Sequence, residues 1–387
     1  MKAIIAGGGT GGHLFPAVAL AEELRSRTTD LPLLFVGVEG GVEASLLAAR
    51  GFEFEGIRAS GLQGKRLLSR LRSLMLIPSG LIRSLSILRG FRPDVVVGFG
   101  GYASAAVVLS AVLARVPTVI HEQNAVPGLA NRWLGKIVDR VAVAFEGASD
   151  FFPESKVRVT GNPVRTELFG VSRAEAVTRL DLDPDRLTIL IFGGSQGAHR
   201  LNEAVMEALP MLADEREQIQ FIHATGPRDC AAVRQGYDTG GYRAVVEPFF
   251  QAMAAVYAAA DFCVCRAGAG TVVELCALGK PSVLVPFPFA ANDHQRYNAE
   301  AVVASGGARM VPDRELSGAA MAEIIRTFLR DREGLEAMAR RAKALAKPDA
   351  AIRLADLVIQ TARRAPGVRF SLFNRDLRRE AGGCRHV

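Results

Sequence analysis

A glycine-rich stretch at the start of the chain recurs near its middle. The apolar residues Ala3–Ala6 lead into GGGTGGH, and Leu190–His199 matches Ile4–His13 at Ile5, at His13 and at three glycines. Each copy is typical of a buried strand, a tight glycine turn and a helix entered at its N-terminus. Such a helix start favours phosphate or sugar oxygens, because its free N–H groups and dipole attract negative charge. The duplication predicts two α/β domains that present glycine loops to a shared cleft.

The composition agrees with two domains and indicates the cellular compartment in which the protein works. A chain of 387 residues with 49% apolar residues can build two large cores, and its net charge of +7 favours anionic partners. The five cysteines lack zinc spacing, which suits a reducing cytoplasm. We find no signal-peptide order at the N-terminus, and polar residues and glycines interrupt the most apolar window, 95–116. We therefore expect a cytosolic protein without a membrane span.

Strand and helix patterns alternate to about residue 362, which predicts an α/β fold with two Rossmann-like, doubly wound domains. The turn-rich junction Thr160–Arg165 marks the boundary, so the first domain covers 1–162 and the second 163–345. Residues 346–364 are expected to form a helix that packs back toward the first domain. Residues 365–387 read as a basic tail.

The segment between Glu55 and Asp94 contains eight basic residues and no acidic one, interleaved with leucine and isoleucine. Pro78-Ser79-Gly80 is expected to break it into two amphipathic helices. One interpretation is a pair of ordinary surface helices with solvated arginines. The other is a surface, Arg58–Arg92, that lies on an anionic membrane leaflet, where each basic residue contributes about 1 kcal/mol.

The residues at the predicted cleft leave several chemistries open. Gly7–Gly12 satisfies G-x-G-x-x-G with Glu39 after the second strand, which alone would suggest a dinucleotide enzyme. The second glycine loop and Gly268–Thr271 with Glu274 fit a nucleotide diphosphate and a sugar better. No D-x-D run suggests a metal-held diphosphate, so we expect neither metal nor cofactor, and helix dipoles must stabilise the leaving group.

Individual side chains allow a structural or a functional interpretation. His13 is either a loop cap or a catalytic base exposed by the glycines before it. His121 and Glu122 could orient the cleft, and His199 could merely echo the duplication. The remaining candidates could be ordinary polar or charged residues near strand ends and helix starts: Asn124, Arg165, Glu274 and Gln295.

Taken together, these motifs resemble the MurG family of bacterial glycosyltransferases. The matching stretches, in the family's order, are GGGTGGHLFPAVALAEEL, GFGGYASA, HEQNAVPGLANRWL, TGNPVR, FGGSQGAHRLN and CRAGAGTVVELCALGKPSVLVPFPFAANDHQRYNA. They span almost all of residues 1–360. The resemblance implies a GT-B fold, with two Rossmann-like domains facing a central cleft and the donor bound mainly by the second.

The resemblance also assigns roles at the donor site. It implies that Thr10, Gly11 and Gly12 lie near the donor sugar, and that Asn124 and Arg165 reach it from the first domain and the junction. It further implies that Ser195 holds the diphosphate, Phe250 offers backbone to uracil, Glu274 binds ribose and Gln295 binds the N-acetylglucosamine hydroxyls. His294 stands where some members carry a second glutamine.

The implied reaction transfers N-acetylglucosamine from UDP-N-acetylglucosamine to undecaprenyl-pyrophosphoryl-muramoyl-pentapeptide in peptidoglycan synthesis. An α-linked donor and a β-1,4 product imply inversion by direct displacement, for which His13 is the candidate base. The expected partners are these two substrates and an anionic membrane surface at the cytoplasmic face of the inner membrane, with no nucleic acid. The alternatives are another GT-B glycolipid glycosyltransferase, a UDP-N-acetylglucosamine 2-epimerase, or a protein that binds a nucleotide sugar without catalysis.

Overall fold

The computed structural model describes residues 1–8, 11–28, 31–41, 43–57, 67–194 and 196–363, with the backbone alone for Gly11 and residues 67–78. These ranges form two parallel β-sheets with a hydrophobic core on each face. Neighbouring residues of the central strands point to opposite cores, as in Ile4 and Ile5, which are both fully buried. Burial on both faces explains why these strands read as unbroken apolar runs.

The first sheet has the strand order β3-β2-β1-β4-β5-β6-β7, and all its described pairs are parallel. Its strands are β1 (Ala3–Ala6), β2 (Leu33–Val38), β3 (Glu53–Ile57), β4 (Val95–Gly98), β5 (Thr118–Glu122), β6 (Arg140–Val143) and β7 (Val157–Val159). The order reverses between β1 and β4, which opens a crevice at their carboxyl ends.

The helices around this sheet are α1 (Gly11–Arg27), α2 (Glu43–Ala49), α3 (Leu67–Phe91), α4 (Gly101–Leu113) and α5 (Leu129–Ile137). The predicted break at Pro78 is wrong, because α3 runs through it as one helix. An interior proline costs about 3 kcal/mol, and burial of the following turns on α4 and the sheet offsets it. Ser84 Oγ donates to the Gly80 carbonyl at 2.7 Å, and Leu88 is fully buried. No helix within the described ranges is long and apolar enough to cross a bilayer.

The second sheet repeats the arrangement, with the order β10-β9-β8-β11-β12-β13. Its strands are β8 (Leu187–Phe192), β9 (Ile219–Ala224), β10 (Ala244–Glu247), β11 (Phe262–Cys265), β12 (Ser282–Leu284) and β13 (Arg309–Met310). Its helices are α6 (Arg173–Arg179), α7 (His199–Ala208), α8 (Cys230–Gly240), α9 (Met253–Ala259), α10 (Ala269–Leu278), α11 (His294–Val303), α12 (Gly318–Arg330) and α13 (Arg332–Ala344). The prediction of two doubly wound parallel domains is confirmed.

A last described helix, α14 (Ala350–Arg363), packs on α1, and its Leu354 and Val358 are buried in a core of the first sheet. The chain therefore crosses between the sheets twice, and the crossings touch at Gly161. This glycine has φ +83°, and an added Cβ would lie 2.9 Å from Lys347 Cβ. Only glycine fits both its conformation and this approach.

Each copy of the duplicated stretch follows the central strand of its own sheet. The first glycine loop follows β1, beside β4, and the second follows β8, beside β11. Both loops therefore lie where the strand order reverses, at the carboxyl ends where α/β sheets bind ligands. The two-loop prediction from the duplication is confirmed.

Candidate active site

His13 is the third residue of α1, and it lies between two glycine loops. Its Nδ1 is 3.3 Å from the Gly8 carbonyl, which can only accept, so Nδ1 carries the proton and Nε2 the basic lone pair. On the other side, an added Cβ at Gly100 would lie 3.3 Å from Nε2. Gly100 and Gly101 have φ +93° and +83°. These glycines let the loop after β4 approach the imidazole closely.

The environment of His13 favours its neutral form. Burial lowers the pKa of His13 below 6.5, and the nearby His294 acts in the same direction. The Gly8 carbonyl and the Glu122 carboxylate oppose this shift without cancelling it. The imidazole is therefore uncharged at neutral pH and can accept a proton.

Glu122 ends β5 and orients the loop that follows, residues 123–128, called the β5–α5 loop here. Its Oε1 accepts hydrogen bonds from the backbone N and Nδ2 of Asn124, at 3.0 and 3.1 Å. Its Oε2 accepts from Gly128 N at 3.2 Å and Asn131 Nδ2 at 2.8 Å. A buried carboxylate with four donors is a rigid anchor. Glu122 thus fixes Asn124, one of the predicted donor-contacting residues.

His121 has a structural environment. It is fully buried, its Nε2 donates to the Gly161 carbonyl at 3.0 Å, and its Nδ1 accepts from Gln123 at 3.1 Å. Burial lowers the pKa of His121 to about 4, so the ring is neutral. These contacts fit an orienting role, in which His121 holds the end of β5 against the junction.

Arg165 and Glu274, predicted separately, are bonded to each other. Arg165 donates through Nε and Nη2 to Glu274 Oε1, at 3.2 and 2.9 Å, and Tyr257 donates to Oε2 at 3.1 Å. The guanidinium also stacks on Phe15 of α1, 4.2 Å from the ring centre. Burial raises the pKa of Glu274, while the Arg165 charge lowers it. The junction, α1 and α10 therefore meet at one partly buried cluster.

Gln295 is held with one defined polarity. Its Oε1 accepts from the backbone N–H groups of Ala267 and Phe287, at 3.2 and 2.9 Å. Because two donors occupy the carbonyl, the amide nitrogen is the end of Gln295 that can donate to a ligand. Asn292 and Asp293, just before α11, have φ +53° and +55°, a left-handed conformation that asparagine and aspartate tolerate better than most residues.

Asn298 is a cleft residue that sequence reasoning missed. It is fully buried on α11, and its side chain bonds both Asn124 and Ala125 of the first domain and Ala267 of the second. The sequence feature that could have pointed to Asn298 is its spacing from Gln295, because residues one helical turn apart share a face of the helix.

The other predicted residues are more dispersed. α1 begins at Gly11, and Gly12 is exposed at its start. Phe250 follows β10 with its side chain buried in a core of the second sheet. His199 starts α7 and its Nδ1 lies 2.9 Å from Asp229 Oδ2. Thr10 and Ser195 lie outside the described residues. Those ranges contain no group of three or more metal-ligating side chains placed to hold an ion.

Family models match both halves of the chain. Residues 3–143 match the glycosyltransferase family 28 N-terminal domain, and residues 188–354 match the family 28 C-terminal domain. The first range contains β1 to β6, and the second begins one residue into β8 and contains β9 to β13, so each model covers one glycine loop and most of its sheet.

Curated relatives match nearly the full length and bear one name, UDP-N-acetylglucosamine--N-acetylmuramyl-(pentapeptide) pyrophosphoryl-undecaprenol N-acetylglucosamine transferase. A protein from Anaeromyxobacter sp. (strain Fw109-5) is 48% identical, with 95% of each chain covered. One from Myxococcus xanthus (strain DK1622) is 45% identical, covering 93% of this chain and 92% of the relative.

Solved structures agree on the fold. The crystal structure of Acinetobacter baumannii MurG is 30% identical with a TM-score of 0.73, covering 93% of this chain and 99% of that one. A UDP-GlcNAc 2-epimerase from Neisseria meningitidis bound to UDP-GlcNAc has a TM-score of 0.64 at 15% identity, covering 93% and 100%; this likeness shows the fold alone. Because its relatives are this similar over nearly their whole length, the chain belongs to the MurG family of UDP-N-acetylglucosamine–N-acetylmuramyl-(pentapeptide) pyrophosphoryl-undecaprenol N-acetylglucosamine transferases.

Proposed function

We propose that this chain transfers N-acetylglucosamine from UDP-N-acetylglucosamine to the muramoyl 4-hydroxyl of undecaprenyl-pyrophosphoryl-muramoyl-pentapeptide, which converts lipid I into lipid II. The observation that carries the proposal is the name shared by relatives 42–48% identical over almost the whole chain. The cleft supports it, because His13, Asn124, Arg165, Glu274 and Gln295 come from both domains and lie at the carboxyl ends of the two sheets.

The chemistry is a single inverting displacement. The muramoyl 4-oxygen attacks the anomeric carbon, the bond from that carbon to the diphosphate oxygen breaks, and UDP leaves with the electron pair. His13 Nε2 takes the hydroxyl proton as general base, a role worth about 10²–10⁴-fold in rate. Its lowered pKa and the proton on Nδ1 support this role. The start of α7, together with Ser195, stabilises the departing diphosphate.

Donor recognition belongs mainly to the second domain and the junction. Glu274 accepts from ribose hydroxyls, and Gln295 donates from its amide nitrogen to the sugar hydroxyls. We assign the backbone of Phe250 to uracil. We assign contacts with the donor sugar to Thr10, Gly11, Gly12, Asn124 and Arg165 of the first domain and the junction. We assign residues 1–162 to the acceptor and the membrane, and residues 163–345 to the donor.

The first domain carries the membrane surface, which would place the protein peripherally on the cytoplasmic face of the inner membrane. Much of the Arg58–Arg92 surface lies outside the described side chains. In the part that is described, Ile82 of α3 is 69% exposed, and Leu113 of the adjoining α4 is 64% exposed. On α5, which packs on α4, Trp133 is 69% exposed with Lys136 Nζ 4.5 Å from its ring centre. Exposed tryptophan beside basic residues is typical of membrane interfaces.

One assay tests the reaction and separates the alternatives. The purified chain is given UDP-N-acetylglucosamine with and without a prenyl-pyrophosphoryl-muramoyl-peptide, in the presence and absence of a chelator. We expect acceptor-dependent UDP release and a disaccharide product, unaffected by the chelator. Epimerised UDP-sugar without acceptor would identify an epimerase, and donor binding without turnover would identify a binding protein.

The membrane surface needs its own test. Replacing Ile82, Leu113 and Trp133 by serine should weaken sedimentation with anionic vesicles, while activity on a short-chain soluble acceptor is retained. Met211, 46% exposed on the second domain, provides the matched control, and Met211→Ser should sediment as the wild type does. Undiminished vesicle binding of the triple variant would show that these three side chains do not carry the membrane contact, with the arginine-rich tail as the next candidate.

A further inference from the structure

We propose that Asn298 is a positioning residue that joins the sugar-contacting side chains of the two domains into one unit. Sugar transfer then depends on Asn298 far more than donor binding does. This inference rests on the proposed function, since it concerns how Asn124 and Gln295 are placed around the same donor sugar.

The side-chain amide of Asn298 bonds across the domain boundary. Oδ1 accepts from the backbone N of Ala125 at 2.8 Å, and Nδ2 donates to Asn124 Oδ1 at 3.2 Å. The same Nδ2 donates to the Ala267 carbonyl at 3.2 Å within the second domain. The residue is fully buried, so the free energy of these bonds is not diluted by competing water. One side chain thus holds the β5–α5 loop against the second domain.

On the second-domain side, Asn298 and Gln295 bond the backbone of the same residue, Ala267, through its two adjacent peptide groups. Gln295 Oε1 accepts from the Ala267 N–H at 3.2 Å, and Asn298 donates to the carbonyl of that residue. Both side chains leave one face of α11. Ala267 also precedes α10, which carries Glu274. A movement of the Gln295 side chain upon donor binding is therefore transmitted to Asn298 through a short, buried path.

On the first-domain side, the path ends at the proposed base. Asn124 is held between two partners, since its Oδ1 accepts from Asn298 and its Nδ2 donates to Glu122 Oε1 at 3.1 Å. The Glu122 carboxylate acts electrostatically on His13. Asn298 therefore sets the position of Asn124 relative to both Gln295 and His13. Small errors in such placement cost rate rather than ground-state affinity.

Two variants of Asn298 separate its contacts. Asn298→Leu removes all three hydrogen bonds at similar volume, whereas Asn298→Asp keeps an acceptor for Ala125 N and loses both donated bonds. The matched control is Gln220→Met. Gln220 is a fully buried amide whose three bonds, to Asp183 N, Asp183 O and Thr188 Oγ1, lie within the second domain near the amino end of β9. This control shows how much kcat changes when any buried side-chain amide of the second domain is lost.

The measurements are kcat for transfer, the Kd for UDP-N-acetylglucosamine, and hydrogen exchange at the Ala125 amide with and without this donor. We expect Asn298→Leu to lower kcat by about a hundredfold while the donor Kd changes by less than about threefold. Asn298→Asp should also lower kcat, and Gln220→Met should leave kcat near wild type. Saturating donor should slow exchange at Ala125 in the wild type and lose this effect in Asn298→Leu.

The outcomes distinguish this inference from the proposed function. A wild type that neither binds donor nor transfers sugar overturns both. A wild type that transfers, with Asn298→Leu equal to Gln220→Met in kcat, overturns only the role of Asn298. Donor binding to the wild type without any effect on Ala125 exchange also overturns it. If Asn298→Leu does not fold, Asn298→Asp decides, and a kcat within a few-fold of wild type at unchanged donor Kd refutes the role.

Discussion

The guanidinium of Arg165 lies 2.9 Å from Glu274 Oε1, so a residue of the domain junction and a residue of α10 form a salt bridge at the cleft. Both side chains are mostly buried, with 11% and 13% of their surfaces exposed. Removing one partner of such a pair leaves the other without compensation for its lost hydration. With the donor-binding role proposed for Glu274, the pair would link donor recognition to the stability of the domain junction.

Glu274→Ala should weaken binding of UDP itself, because the ribose hydroxyls lose an ionised acceptor. Hydrogen bonds to charged groups contribute about 1.5–3 kcal/mol, so we expect at least about a tenfold loss in UDP affinity. The melting temperature should fall as well, since Arg165 loses its main partner. Calorimetric titration with UDP and thermal unfolding measure the two effects. Unchanged UDP affinity would exclude ribose binding by Glu274.

Gln295→Glu tests the polarity of the glutamine. The substitution keeps the oxygen that accepts from Ala267 N and Phe287 N, but it replaces the amide donor by an acceptor. UDP affinity should therefore stay near wild type, while UDP-N-acetylglucosamine binds about tenfold more weakly. Gln295→Ala, as the control, should weaken the same ligand and also reduce discrimination against the galacto epimer. Equal losses for UDP and the UDP-sugar would contradict the assignment.

The acid side of the pH profile should report His13. A base must be unprotonated to act, and burial lowers the pKa of His13 below 6.5. Turnover should therefore hold down to pH 6.5 and decline only at lower pH. His13→Ala should lower kcat by about a hundredfold at nearly unchanged donor affinity, and it should remove this decline. Turnover of His13→Ala within a few-fold of wild type would assign the base elsewhere.

Gly100→Ala should impair turnover without removing any polar group. The added Cβ would lie 3.3 Å from His13 Nε2, and φ of +93° strains any other residue. We expect kcat to fall about tenfold or more, with donor affinity nearly unchanged. Gly128→Ala is the control, because a Cβ there meets nothing within 4 Å. Equal activity of the two variants would show that the Gly100 loop does not confine the base.

Acid should destabilise the first domain through His121. Its pKa is about 4 in the folded chain and about 6.5 when unfolded, so between these values the unfolded state binds a proton that the folded state does not. Stability therefore falls as pH drops from 6.5 to 4, by about 3 kcal/mol from this group. His121→Gln keeps an amide donor for the Gly161 carbonyl and should flatten this decline, measured by urea unfolding across the range. An equally steep decline in the variant would rule out His121 as its source.

Local sequence determined much of the framework. The apolar patterns of Leu33–Val38, Val157–Val159 and Phe262–Cys265 predict strands whose bounds coincide with β2, β7 and β11. The patterns of residues 52–57, 188–192 and 220–224 predict β3, β8 and β9 with a difference of one residue at one end. The central strands are apolar and enclosed by glycine or proline turns, so side-chain burial and turn chemistry act over a few neighbouring residues. The glycine loops after β1 and β8 follow from the same local rules.

α3 shows where local rules fail. The proline at position 78 predicted a break, yet the helix continues through it. Packing of the turns after it against α4 stabilises the longer helix, and that contact involves residues distant in sequence. The pattern of residues 118–120 likewise predicts a strand that ends at Ile120, yet β5 extends two residues further, because His121 and Glu122 pair with β6.

The sequence alone determined two doubly wound domains, the glycine loops and the family, because these depend on short-range patterns and on motifs in a fixed order. Only the tertiary structure decided which side chains meet. Arg165 and Glu274 are 109 residues apart, and Asn124 and Asn298 are 174 apart. The first pair depends on how the junction folds back onto α10, and the second depends on how two separately formed sheets pack against one another. That packing is a property of whole surfaces, which no local pattern in the chain encodes.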